Sequence, residues 1–162
     1  MHPLLQCLMY AALIGLAANP VAYFLPRRWF LPSAFPFRPF RFEKNGQIYE
    51  KIGIRRWKDK VIDQSRITGF LMKKTVQPHM TADEMEKLAV ETCVSEAVHV
   101  ALAVLSLGCL RIWPGAGGAI FTVLFILFGQ LNYAVIQRYN RTRFVELARR
   151  MRLREQKKQL HT

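Results

Sequence analysis

At 162 residues the chain is one domain's worth of polypeptide, yet 51% hydrophobic residues and a formal net charge of +13 do not suit an ordinary soluble domain. The two reconcile when apolar and basic residues are segregated into membrane spans and loops. The pI near 10.2 then follows from topology, and no nucleic-acid partner is needed to explain it.

Windows of about 20 apolar residues predict three spans, at about residues 3–25, 92–113 and 115–136. No Lys or Arg precedes the first run, and Arg27-Arg28 follow it, the wrong polarity for a cleaved signal peptide. It is expected to be a retained helix. Asn19-Pro20 lies near its inner end, where a proline either frees a carbonyl for other partners or simply ends the helix. From Pro26 to Phe42 prolines and aromatics alternate with Arg, which forbids a regular helix and suits the headgroup zone. Asn45-Gly46, flanked by apolar residues, reads as a hairpin, while Ile48 and Ile52 before Gly53 equally suit a short helix.

Thr81-Ala82-Asp83-Glu84 is a capping box, so a helix is expected from Ala82 to about Ile112. Its first turns, with Met85, Leu88 and Ala89, are expected to ride the membrane interface. Within the span, Glu91, Thr92, Ser95, Glu96 and His99 fall in an arc of roughly 140°. Ionisable groups are costly in hydrocarbon and usually mark a functional interior. Glu96 and His99 are three apart and therefore neighbours, so the carboxylate could orient the imidazole; a self-satisfied polar pair between packed helices is the plainer reading.

The third span ends in Gln130, Asn132, Gln137, Arg138, Asn140 and Arg141. Counted from the inner interface at about 1.5 Å per residue, Asn132 and Glu96 lie roughly 7 to 8 Å deep, Gln130 about 10 Å and His99 about 12 Å. With Asn19, three helices thus offer polar groups at similar depth, and one pocket opening to the cytoplasm is expected to collect them. In the tail, Phe144, Leu147, Ala148 and Met151 have helical spacing opposite Arg149, Arg150, Arg152 and Arg154, which predicts an amphipathic helix on the inner membrane surface.

Of the basic residues, 14 lie between Arg27 and Lys87 and nine between Arg138 and Lys158, with Arg111 alone in the connection between the last two spans. The positive-inside rule puts loop 26–91 and tail 137–162 in the cytoplasm and the N-terminus outside. The expectation is therefore an all-α, multi-pass protein of the inner (plasma) membrane: a single integral-membrane domain over 1–162, with three transmembrane helices, an interfacial basic and aromatic loop and a C-terminal amphipathic helix. The three cysteines form no metal pattern, and His2, His79, His99 and His161 lack ligand spacing, so no metal or cofactor is expected. Cys7 and Cys109, both near outer span ends, suit buried filler better than a disulfide. Cys93 is weighed as a thiol nucleophile against simple packing, and Glu96 a turn away disfavours its anion.

Arg41-Phe42-Glu43-Lys44, Gly46, Ile48-Tyr49, Trp57-Lys58, Glu91-Thr92-Cys93, Glu96, His99, Asn132 and Gln137 to Arg141, in that order, resemble the glycosyl-4,4'-diaponeurosporenoate acyltransferase family of staphyloxanthin-type carotenoid synthesis. The resemblance covers roughly Pro20 to Phe144, with departures at Val100, Ala134-Val135 and Thr142. It implies transfer of a fatty acyl group to a sugar hydroxyl of a glycosylated carotenoid or other glycolipid. Membrane lipids, an acyl donor (acyl-CoA, acyl-carrier protein or phospholipid) and that acceptor are the implied partners. Such chemistry needs a base, which His99 oriented by Glu96 can supply. Asn132 or Gln137 can donate to the tetrahedral oxyanion, and Arg138, Arg141 and the basic surface can dock the donor's phosphates. Glu91, Asn19, Trp57 and Asn140 complete the expected substrate contacts. A non-catalytic lipid-binding or assembly subunit has the same topology and differs in not needing both Glu96 and His99.

Overall fold

The computed structural model describes residues 1–58 and 79–160; residues 59–78, within the loop expected to be cytoplasmic, and 161–162 lie outside them. Helix α1 (Pro3–Phe24) begins where sequence chemistry places it, with Pro3 in the first turn and the His2 ring accepting from the Leu4 amide. It runs through Pro20 to Phe24. Short helices α2 (Gln47–Lys51) and α3 (Ile54–Trp57) follow in the loop, then α4 (Ala82–Ile112) and α5 (Ala116–Leu160). Helices α1, α4 and α5 are each long and apolar enough to cross a membrane, and no strand occurs among the described residues. The protein is an all-α membrane protein.

The chain packs as two compact units. The first comprises residues 1–25 and 95–135. Its outward residues are apolar, including Leu13, Leu16, Val104, Ile120 and Phe128, the pattern of a surface solvated by lipid. Inside it, small and polar groups join the helices as expected where lipid removes a hydrophobic drive to associate. A 3₁₀ turn at Ser106–Gly108 interrupts the α-helical pattern of α4. The Leu105 carbonyl beside it accepts from the Tyr10 hydroxyl at 2.9 Å. A side chain on Gly108 would meet that hydroxyl at 2.7 Å, so only glycine allows the contact. Cys7 and Cys109 are fully buried free thiols, the Cys7 thiol facing the Cys109 carbonyl at 3.8 Å.

The second unit comprises residues 26–94 and 136–162. The capping box forms as expected: Glu84 accepts from the Thr81 amide at 2.7 Å, and the Thr81 hydroxyl accepts from the Glu84 amide at 3.3 Å. Two interfacial expectations are corrected here. Met85, Leu88 and Ala89 and the tail's apolar stripe turn to one another and not outward, burying one another in a core of Met85, Leu88, Ala89, Phe144 and Ala148, flanked by Met80, Leu147 and Met151. Each face supplies the apolar partner the other lacked. Arg152 reaches across the same contact to Asp83 and Glu86. The tail is helical, as expected, but it continues α5 without a break.

The Asn45-Gly46 segment resolves in favour of helix. Lys44, Asn45 and Gly46 take successive left-handed conformations, with φ of 46°, 55° and 92°, and turn the chain from the 3₁₀ segment Arg41–Gly46 into α2. Gly46 is doubly constrained, because a Cβ there would also lie 2.7 Å from the Thr142 hydroxyl. Gly46→Ala is expected to destabilise the protein by about 1 to 3 kcal/mol, read as a lower unfolding midpoint in detergent. An unchanged midpoint would show that the turn relaxes at no cost.

Candidate active site

In the first unit, the polar arc of α4 turns Glu96 and His99 inward, at 8% and 7% exposure. Opposite His99, α5 departs from α-helical geometry over Phe125–Leu131, which adopts a π-helical stretch. Such stretches are rare and recur at functional sites. Gln130 lies within it at 6% exposure, and its Oε1 is 2.8 Å from His99 Nδ1. Tyr133, three residues on, stacks flat on the imidazole, with ring centroids 4.7 Å apart and planes within 6°. The Asn132 amide nitrogen donates to the Phe128 carbonyl at 3.4 Å. Asn19 is half-buried on α1. Between α1 and α4 the same unit holds an apolar groove of about 360 Å³, lined by alanines 17, 18, 97 and 101 together with Ile14 and Leu105 among others.

The remaining expected site residues belong to the second unit. Glu91 forms an ion pair with Arg27 at 2.8 Å. Arg138 places both Nε and Nη2 2.7 Å from Glu43 Oε1. Its other N–H groups reach the carbonyls of Pro36 at 3.3 Å and Arg38 at 3.2 Å, and Phe40 covers its guanidinium at 4.5 Å. Burial, and next the Glu43 carboxylate, push the neighbouring Tyr49 hydroxyl up to about 12, so it keeps its proton at neutral pH. Arg141, 2% exposed, donates to Cys93 Sγ at 3.2 Å and lies over the Phe37 ring. Gln137 is buried, and Asn140 and Trp57 are half-buried. Cys93 is fully buried. An acyl donor could reach its sulfur only by displacing packed side chains.

Thus, of the expected site residues, Asn19, Glu96, His99 and Asn132 belong to the first unit, and Trp57, Glu91, Gln137, Arg138, Asn140 and Arg141 to the second. Two relationships escaped sequence reasoning. Gln130 lies near the depth of His99 by residue count, and that shared depth is the one sequence signal for their contact. The Glu43–Arg138 pair, 95 positions apart, leaves no trace in spacing.

Three membrane-length helices, with a buried, hydrogen-bonded histidine among them, define a small all-α membrane protein. Residues 26–150 match the family model of glycosyl-4,4'-diaponeurosporenoate acyltransferase, and the chain belongs to that family. Curated relatives of that name from Staphylococcus aureus strains bovine RF122 / ET3-1, MRSA252 and USA300 are each 26% identical over 144 residues, covering 88% of this chain and 86% of theirs. No solved structure matches the chain. Its general class of activity is acyl transfer.

Proposed function

We propose that this protein esterifies a sugar hydroxyl of a glycosylated carotenoid, or of another glycolipid, with a fatty acyl group, using His99 as general base. The observation that carries the reading is the burial of His99 with its Nδ1 held by Gln130 in a membrane-spanning unit. The acceptor oxygen attacks the acyl carbonyl as its proton passes to the imidazole. The tetrahedral oxyanion is met by an amide donor, a role that Asn132 of the same unit can fill. Collapse breaks the bond to the donor's leaving group, which recovers the proton from the imidazolium. Glu96, one turn before His99, stabilises that transient cation as an opposite charge. The apolar groove of the same unit suits a lipid chain.

Exposed Arg28, Arg38 and Arg41, among exposed Trp29, Phe35 and Phe42, provide a surface for anionic headgroups and for the phosphates of an acyl-CoA, acyl-carrier protein or phospholipid donor. Arg138 and Arg141 are committed within the fold and support this surface from behind. The test is reconstitution in nanodiscs with a glycosylated carotenoid and each donor class in turn. Formation of the ester, seen by mass spectrometry with one donor, supports the proposal; no ester with any of them contradicts it.

The loop and tail are proposed to face the cytoplasm with the N-terminus outside, from the 23-to-1 division of basic residues. A cysteine probe replacing the exposed Asn45 is expected to label only from the cytoplasmic side. Labelling of intact cells from outside would reverse the orientation.

A further inference from the structure

The oxygen of a carboxamide accepts hydrogen bonds and cannot donate them. With Gln130 Oε1 2.8 Å from His99 Nδ1, the proton of the neutral imidazole belongs on Nδ1 and the lone pair on Nε2. Sequence reasoning gave the tautomer to Glu96. An amide does the same work without placing a second charge against the ring.

Three features make this contact a built one. Gln130 and His99 are both more than nine-tenths buried, so the bond forms away from competing water. The π-helical stretch Phe125–Leu131 changes the register of α5 at the residues involved. Tyr133 then lies parallel to the imidazole and sets its plane. We infer that Gln130 is the positioning residue of His99: it holds the Nδ1–H tautomer and presents Nε2 as the proton acceptor for the attacking hydroxyl, with the Tyr133 ring fixing the orientation. This inference rests on the base role proposed above. The titratable groups concerned are Tyr133 from α5 and Glu96 from the same helix.

The test uses the full chain in nanodiscs with isotope-labelled histidine, His99 being assigned among the four histidines by its loss in His99→Gln. Nitrogen chemical shifts report the tautomer directly and without substrate. The wild type is expected to show the Nδ1–H form alone and Gln130→Leu a mixture of both tautomers. Gln130→Glu, which keeps an acceptor oxygen at the same place, is expected to retain the Nδ1–H form. In the esterification assay Gln130→Leu is expected to lower kcat about tenfold or more at similar KM, and Gln130→Glu to recover part of that loss. A wild-type imidazole protonated on Nε2, or a Gln130→Leu ring that keeps the Nδ1–H form alone, overturns the inference. Because the resonance measurement does not depend on activity, that outcome is distinct from an active His99→Ala, which would instead remove the base role on which the inference rests.

Discussion

Replacing His99 with alanine is expected to reduce esterification by about 10² to 10⁴-fold, the range that a positioned general base contributes. The loss should fall on kcat with KM little changed, because the imidazole acts on the proton that moves in the transition state and supplies little ground-state binding. Insertion should be unaffected, since the apolar faces of α1, α4 and α5 that meet lipid do not include this side chain. Glu96→Gln keeps the shape and removes the carboxylate proposed to stabilise the imidazolium, and is expected to cost about tenfold or more. Steady-state kinetics in nanodiscs separate the two parameters. A His99→Ala enzyme with raised KM and intact kcat would show that the ring binds substrate and moves no proton.

Arg138→Ala is expected to be the most damaging change to stability, at about 3 to 5 kcal/mol. It leaves the Glu43 carboxylate, 1% exposed, without its bidentate cation, and releases the Pro36 and Arg38 carbonyls. The penalty comes from the stranded charge more than from the lost attraction, so Glu43→Leu combined with Arg138→Leu should recover much of it. Thermal unfolding in detergent reads both effects. Equal midpoints for Arg138→Ala and the wild type would mean that the carboxylate finds another partner or water. The burial of this pair also changes what neutralising Arg138 and Arg141 together would do: a fall in folded protein is expected before any change in donor requirement.

The parts of the fold legible in the sequence are those encoded locally. The capping box at Thr81 set the start of α4, and the apolar runs and basic flanks set the three membrane helices. The helical reading of the Asn45-Gly46 region was open until three successive left-handed residues appeared, because the same dipeptide serves a hairpin or a helix entry. What could not be read is what depends on partners brought from afar. An apolar stripe on a basic helix is the same pattern whether it meets lipid or another helix, so the packing of Phe144 and Ala148 on Met85 and Leu88 required the tertiary structure. At the site, depth counting brought Glu96, His99, Gln130 and Asn132 to similar depths. It could not anticipate the π-helical stretch, whose altered register gives His99 to Gln130.

The central claim is direct transfer with His99 as base, and it is tested most directly by lipid mass spectrometry of cells that make the glycosylated acceptor and express the wild type, His99→Ala or Cys93→Ser. Cys93 is buried beside Arg141 and lies outside the proposed chemistry, and serine keeps a group able to accept that guanidinium's hydrogen bond. The acylated glycolipid is expected with the wild type and with Cys93→Ser, and is expected to be absent with His99→Ala at equal membrane abundance. Product from His99→Ala together with none from Cys93→Ser would contradict the account and place the acyl group on the thiol.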